Sequence, residues 1–204
     1  NAIRETFRDS DHVRVHPIIT HGGDIVNAIP ERVTIESYVR GKSFEALEKN
    51  NKKVNRALGG AALSVGANVE IIDIPGYSPL NNDRGMMEIA RDASVGVFEQ
   101  EFYMGSGFGT GSTDMGDLSC IMPVIHPYAG GAQGTSHGND YYITDPEAAC
   151  VASAKLQLSM LALLLGSGAE RAKKIVEEYE PQFESAKAYL DYVDSLNCTG
   201  DRIE

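Results

Sequence analysis

The sequence has few cysteines, no long apolar run and no apolar start, and each of these absences excludes a class of protein. Its three cysteines form no CxxC pair, so they are not a disulfide framework and they favour a reducing, cytoplasmic compartment. The longest apolar run covers residues 160–165, whereas a membrane span needs about 20 such residues. Residues 1–9 are charged, which predicts no secretory signal.

Basic residues are also fewer than acidic residues. The 204 residues include 29 acidic and 18 basic side chains, which gives a net charge of -11. Nucleic acids and anionic membranes bind basic surfaces, so the charge argues against both as partners. Apolar residues make up 42% and charged residues 23% of the chain, which is typical of a globular protein with one large domain or two small ones.

Residues 1–75 predict most of a two-layer α+β module. Period-two patterns predict strands over 13–19, 33–39 and 69–74. Between the last two, Ser43 is a good N-cap for a helix that Gly66 closes, with its apolar residues on one face. Residues 1–8 resemble the end of a helix. A complete module would carry another strand and a whole helix in front, so we expect that the chain begins inside it.

Residues 76–204 predict a second, more helical region. A helix is expected over 82–97, and a short apolar strand over 121–125. Asp145 and Pro146 begin a helix to about Leu165 that is apolar nearly all round, so we expect it to be deeply buried. Pro181 divides or kinks the helical stretch 169–195. The residues expected to face inward there are Ile175, Val176, Tyr179, Phe183, Tyr189, Leu190 and Val193.

Two glycine-rich loops and several polar residues are candidates for function. The run 105–111 lacks both the GxGxxG arrangement after a strand and the Gly-Lys-Ser/Thr of a P-loop, so a loop at an active-site rim is favoured over nucleotide binding. In the run 130–138, His137 has a side chain that binds metals, but a lone loop histidine is more often a structural one. Asp114 and Asp117 are a possible carboxylate pair or simply loop caps.

The remaining polar residues are weaker candidates for a catalytic or binding site. The other histidines are His12, His16, His21 and His126, and none forms an HxH or HExxH pair. Cys120, Cys150 and Cys198 are scattered and are expected to be ordinary thiols. Asn27 in a turn and Arg40 at the end of the following strand are expected at adjacent strand ends, where an amide and a guanidinium could bind a substrate carboxylate. The alternative is a solvated arginine, which is the more common case.

Two stretches resemble a known superfamily. Residues 18–32, IITHGGDIVNAIPER, followed by YVR at 38–40, resemble the lid domain of metal-dependent amidohydrolases. This is the aminoacylase and carboxypeptidase superfamily that includes aminobenzoyl-glutamate, hippurate and indole-acetyl-amino-acid hydrolases, and the aminobenzoyl-glutamate hydrolase subgroup is the most similar. GSTDMGDLS at 111–119, His137 and DPEAA at 145–149 are similar to the end of its catalytic domain.

The resemblance implies an α/β (α+β) fold and a hydrolytic function. Residues 1–75 would be part of a ferredoxin-like lid that forms a homodimer, and 76–204 the C-terminal part of a zinc-peptidase-like α/β catalytic domain. In the superfamily two divalent metals, zinc or manganese, share a bridging carboxylate, and a glutamate is the general base. His137 matches a metal ligand, and Asn27 and Arg40 match residues that bind the substrate.

The same resemblance implies an incomplete active site. The other metal ligands and the base have no counterpart here, so this chain alone is expected to hold no metal tightly and to be inactive. The expected substrate of the parent enzyme is a small N-acyl amino acid or peptide-like molecule. The alternative is a non-catalytic interaction module in which lid edges pair between two copies, because an open strand edge favours pairing. A nucleotide-binding enzyme is a third hypothesis.

Overall fold

Helices and short antiparallel strands alternate along the chain. The structure is a computed structural model, and it describes residues 2–98, 109 and 111–200. These residues form two units. The first contains mainly residues 2–79 and 190–200, and the second contains residues 80–98 and 113–189. Residues 190–200, which the sequence places with the catalytic region, therefore group with the first unit.

A β-hairpin and one helix form most of the first unit. After two 3-10 turns, Ala2–Thr6 and Asp9–Asp11, strand β1 (Arg14–His21) pairs antiparallel with β2 (Thr34–Arg40). Helix α1 (Phe44–Ser64) follows and packs against β2. The Ser43 hydroxyl accepts a hydrogen bond from the Ala46 backbone N–H at 3.2 Å, which confirms the predicted N-cap.

Two polar clusters attach α1 to its surroundings. The Asn50 amide and the Lys49 ammonium each donate to one oxygen of Asp11, both at 3.2 Å. The Asn50 hydrogen bond and then Lys49 hold the pKa of the Asp11 carboxyl below its ordinary value of 3.8. Because the folded-state pKa is lowered, the stability from this cluster is present above pH 3.8 and is lost as the pH falls through the folded-state value.

The second polar cluster attaches α1 to β3 (Ile71–Asp73). Asn51 and Asn55 donate to the same oxygen of Asp73 at 2.8 and 2.7 Å. Strand β3 is shorter than predicted, and it pairs with β6 (Cys198–Gly200) instead of extending the hairpin sheet. A ferredoxin-like sheet is therefore not formed in the described residues. Alternating apolar residues predict a strand, but they do not specify its partner.

Helices build the second unit. They are α2 (Arg84–Phe98), the short α3 (Met115–Leu118), α4 (Ser153–Leu165) after a π-helical segment (Glu147–Ala152), α5 (Glu170–Glu178) and α6 (Ala186–Ser195), whose last residues belong to the first unit. Strands β4 (Ala132–Gln133) and β5 (Tyr142–Ile143) form a small hairpin, and Ser167–Ala169 is a 3-10 turn. The buried core contains Ile89, Ala90, Ala93, Leu156, Met160 and Ile175.

Specific residues hold the helices of this core together. Asp83 caps α2 by accepting from the Met86 backbone N–H at 2.8 Å. A Cβ at Gly85 would lie only 2.7 Å from the Ile175 side chain, so the close approach of α5 to α2 requires glycine there. Arg171 on α5 forms a 2.8 Å ion pair with Asp92 on α2.

Three sequence predictions for residues 76–204 are wrong. Residues 121–125 are not a strand, because the backbone N–H groups of Ile121 and Met122 turn back to the Leu118 carbonyl. The α4 helix is not deeply buried, since Leu158, Leu161 and Leu165 are at least 50% exposed. Val176 and Leu190 are also exposed, although Ile175 and Tyr189 are buried as predicted. The division at Pro181 is confirmed, because α5 and α6 lie on either side of it.

One helical stretch has the length and composition of a membrane span. Within the described residues, Glu147–Leu165 is the single such stretch, and 11% of its most apolar window is buried. Its 19 residues give a length of about 28 Å. Length and composition do not distinguish such a helix from the core helix of a globular protein.

We predict that Ile89→Ala lowers the free energy of unfolding by about 2–5 kcal/mol, because it leaves a cavity among α2, α4 and α5. Ile89 is 1% exposed. Val95→Ala on the same helix is the control, since Val95 is 46% exposed, and its effect should stay below about 1 kcal/mol. Urea denaturation followed by circular dichroism measures both. Equal destabilisation by the two variants would contradict this core.

Candidate functional site

The three residues that the resemblance assigns to the site fall in different units. Asn27 and Arg40 belong to the first unit, and His137 belongs to the second. Asn27 and His137 are exposed, whereas Arg40 is half-buried. The roles predicted for these residues stay predictions, and each is described in its own unit.

Arg40 is the last residue of β2, where the hairpin is open. Its Cα partner across the hairpin is Arg14, the first residue of β1. The guanidinium carbon lies 5.6 Å from the centre of the Tyr38 ring, a cation–π distance that orients the guanidinium group. The half-buried stem and this ring contact fix a positive charge at the open end of the hairpin.

Asn27 lies in the loop that joins β1 to β2. In this loop Gly23 has a φ of +114° and packs closely on Pro30, which explains the need for glycine. Thr34, the first residue after the loop, is six residues before Arg40 along β2, or about 20 Å. The loop and Arg40 are therefore at opposite ends of the hairpin, and the prediction of adjacent strand ends is wrong.

His137 lies in the turn of the small β4–β5 hairpin. Its φ of +64° is in the left-handed region, which is unusual for a residue with a side chain. Asp140 holds the turn by accepting from the backbone N–H and the hydroxyl of Thr135, at 3.2 and 3.1 Å. A Cβ at Gly134 would clash with the Asp140 carbonyl oxygen. The glycines here thus allow a tight turn that presents His137 to solvent.

The Ser-Thr-Asp loop is anchored by two tyrosines. The Tyr189 hydroxyl donates to Asp117 at 2.7 Å, and the Tyr179 hydroxyl donates to the Ser119 carbonyl at 2.9 Å. Burial raises the pKa of Tyr179, and the charges of Cys120 and Asp83 add to this. Asp117 is half-buried and is used for packing of the loop, which favours the structural interpretation of this carboxylate.

In the described part of the chain, the other residues that the sequence suggested for function do not form a catalytic or binding group. Asp114 is exposed and accepts from Thr113 at 3.2 Å. His126 packs edge-on against Tyr128, and its buried Nδ1 has no hydrogen-bond partner among the described residues. In the described residues the three cysteines form no disulfide, and Cys120 is buried, Cys198 half-buried and Cys150 exposed. Most of the glycine run 105–111 lies outside the described residues. The nucleotide-binding hypothesis, which depends on that run, therefore stays a prediction.

The described residues do not build a metal centre. Residues 2–98, 109 and 111–200 contain no group of three or more His, Cys, Asp or Glu side chains that would hold an ion. A catalytic zinc needs three protein ligands, and a pair of metals needs more. The donor set found here therefore does not fit the two metals that the resemblance implies.

A shallow depression runs along one side of α4 and the π-helical segment before it. Its volume is about 640 Å³, and the seven residues that line it are Ala149, Cys150, Ser153, Ala154, Gln157, Leu158 and Leu161. None of Asn27, Arg40 and His137 is among them. The depression lacks an acid–base pair and is not a candidate active site.

Comparisons with known proteins identify two related peptidases. The chain is 32% identical over 134 residues to the Xaa-Arg dipeptidase of Homo sapiens, a match that covers 63% of this chain. It is 32% identical over 129 residues to the Xaa-Arg dipeptidase of Mus musculus, which covers 56% of this chain. The chain spans only 30% and 27% of the length of these relatives.

No family model and no solved structure matches the chain. The two relatives support a peptidase or amidohydrolase relationship in general. They do not distinguish the aminobenzoyl-glutamate, hippurate and indole-acetyl-amino-acid hydrolase group from other members of that superfamily.

We predict that Asp117→Ala lowers the free energy of unfolding by about 1–3 kcal/mol, because it removes the acceptor of the Tyr189 hydroxyl. Tyr189 is 7% exposed, so water does not readily replace the lost partner. Asp114→Ala is the matched control and should change stability by less than about 0.5 kcal/mol. Thermal and urea denaturation measure both variants. A neutral Asp117→Ala would reject the structural role.

Proposed function

We propose that the chain is part of a metal-dependent amidohydrolase that cleaves the amide bond of dipeptides or N-acyl amino acids. The observation that carries the proposal is the 32% identity to two Xaa-Arg dipeptidases over about 130 residues. The lid-like stretch 18–40 and the stretch 111–149 support it, because both resemble the same superfamily. Because the chain spans about 30% of those relatives, we propose that further residues complete the active site.

A dipeptide that ends in arginine is the first substrate to consider. Both relatives are named for that specificity. The net charge of -11 supports it, because a negative protein attracts cationic ligands and repels anionic ones. Arg40 would bind the terminal carboxylate of the substrate, and a guanidinium group suits that role because it donates two parallel hydrogen bonds. Asn27 lies in the loop at the other end of the hairpin, so it would not bind this carboxylate, and its role stays a prediction.

His137 is the residue that would contribute to a metal site. It is exposed on a tight turn, and a neutral imidazole is a common ligand of zinc and manganese. In the complete enzyme His137 would hold a metal together with other ligands, and that metal would supply Lewis-acid chemistry. Since the described residues supply no complete ligand set, we propose that the chain by itself binds metal weakly and is inactive.

In the complete enzyme, His137→Ala is predicted to lower kcat/KM for a dipeptide such as Ala-Arg by more than about 100-fold, since even residues that only support a metal ligand contribute 10–100-fold. His12→Ala is the control, because His12 is also an exposed histidine but lies before β1, and it should leave kcat/KM unchanged. Hydrolysis is measured with zinc and with manganese. Full activity of His137→Ala would remove the assigned role.

A non-catalytic interaction module is the second candidate. Within the described residues, β1 and β2 form a sheet of two strands only, so each strand has an open edge. Ile18 and Ile19 are 61% and 68% exposed on β1. Open edges with apolar side chains favour pairing with another strand. We propose that two copies associate through this hairpin, which is compatible with the hydrolase as well.

Light scattering after size-exclusion chromatography tests the association. We predict a dimer whose population rises with concentration, and we predict that Ile19→Lys shifts the chain to monomer because a charge replaces an apolar contact. Val65→Lys is the control, since Val65 is 78% exposed but lies after α1 and away from the hairpin strands. A monomer at every concentration would reject the association.

A further inference from the structure

Four side chains that can contact a ligand through a charge, a hydrogen bond or a ring lie on one face of the β1–β2 hairpin. The register pairs Arg14 with Arg40 and His16 with Tyr38. Because side chains alternate between faces and direct partners share a face, these four lie on the same side. Val15 and Val39, the partners between them, are half-buried on the opposite side. Arg14, His16 and Tyr38 are exposed, and Arg40 is half-buried.

The two arginines bring like charges together. Directly opposite residues in an antiparallel pair have their Cβ atoms about 5 Å apart, and like charges at such positions destabilise the sheet. A carboxylate placed between Arg14 and Arg40 would interact favourably with both guanidinium groups. The arrangement therefore favours an anionic ligand at the open end of the hairpin.

Contacts with their neighbours orient both guanidinium groups. Arg14 Nε donates to His16 Nε2 at 3.3 Å, and Arg40 lies over the Tyr38 ring at 5.6 Å. Arg4 stabilises the same end by donating to the Val15 carbonyl at 3.1 Å. Side chains that are already oriented lose less conformational entropy when a ligand binds.

We propose that Arg14 is a further substrate-binding residue, that His16 positions it, and that together with Arg40 and Tyr38 they form a clamp for a substrate carboxylate. This inference rests on the proposed function, which supplies a substrate with a free carboxylate. Two guanidinium groups hold a planar carboxylate from both sides through charge-assisted hydrogen bonds. The Tyr38 ring offers an apolar surface for the part of the substrate next to the carboxylate.

Glu36 lies on the same face of β2 as Tyr38 and Arg40. It lies two residues before Tyr38 and opposite Ile18, so it would disfavour anions that extend along the strand in that direction. Its position suits a substrate with a single carboxylate better than a dicarboxylate.

Binding is tested on this chain with N-acetylglycine, which carries one carboxylate, and with the neutral N-acetylglycinamide. Shifts of the arginine Nε–H resonances in NMR spectra give the dissociation constants. We expect N-acetylglycine to bind and the amide not to bind. Arg14→Gln should weaken binding by about tenfold or more, and Arg32→Gln, which removes one exposed charge from the hairpin loop, should have little effect.

Two further variants separate the clamp from general charge effects. Arg14→Lys keeps the charge but loses the planar fork, so it should bind more weakly than the original chain. His16→Gln should weaken binding less than Arg14→Gln, because it removes only the contact that positions Arg14. Circular dichroism confirms that each variant is folded. Equal effects of Arg14→Gln and Arg32→Gln, or equal binding of the acid and the amide, would overturn the clamp.

The outcomes also separate the clamp from the proposed reaction. Inorganic phosphate that binds more tightly than N-acetylglycine, and loses binding in Arg14→Gln, would overturn the assignment to a carboxylate. Carboxylate binding without hydrolysis of any dipeptide or N-acyl amino acid by the complete enzyme would support the clamp and reject the reaction. Hydrolysis with unchanged KM and unchanged N-acetylglycine binding in Arg14→Gln would reject the clamp alone.

Discussion

The register of the β1–β2 hairpin is the constraint on which the first unit and its candidate chemistry depend. It pairs Val15 with Val39 on the half-buried side and Arg14 with Arg40 on the other. A shift of one residue would move every side chain to the opposite face, which would bury arginine and expose valine. Helix α1 packs against β2, and Asp11 accepts hydrogen bonds from Asn50 and Lys49 of this helix.

The packing of the second unit depends on a small apolar contact among α2, α4 and α5. Leu156 and Met160 of α4 lie in the core with residues of α2 and α5, while the rest of the helix is largely exposed. The glycine turn that carries His137 is built separately, by Asp140 and the close approach at Gly134. The predicted metal ligand is therefore supported by local hydrogen bonds and not by the core.

Short-range sequence patterns were sufficient to predict the structural elements that depend only on neighbouring residues. The Ser43 cap, both strands of the hairpin and the division at Pro181 follow from short-range backbone preferences. Non-local features were not predictable in this way. The apolar residues 121–125 suggested a strand, but their N-terminal part continues the turn after α3. The composition of α4 suggested burial, although burial depends on which neighbours are present.

The sequence by itself determined the composition class, the positions of most helices and the resemblance that selects Asn27, Arg40 and His137. These depend on residue identity and spacing along the chain. Only the tertiary structure decided that Arg14 faces Arg40, that Asp117 binds Tyr189 and that β3 pairs with β6. Each of those contacts joins residues far apart in sequence, so it depends on strand register and helix packing, which periodicity does not encode.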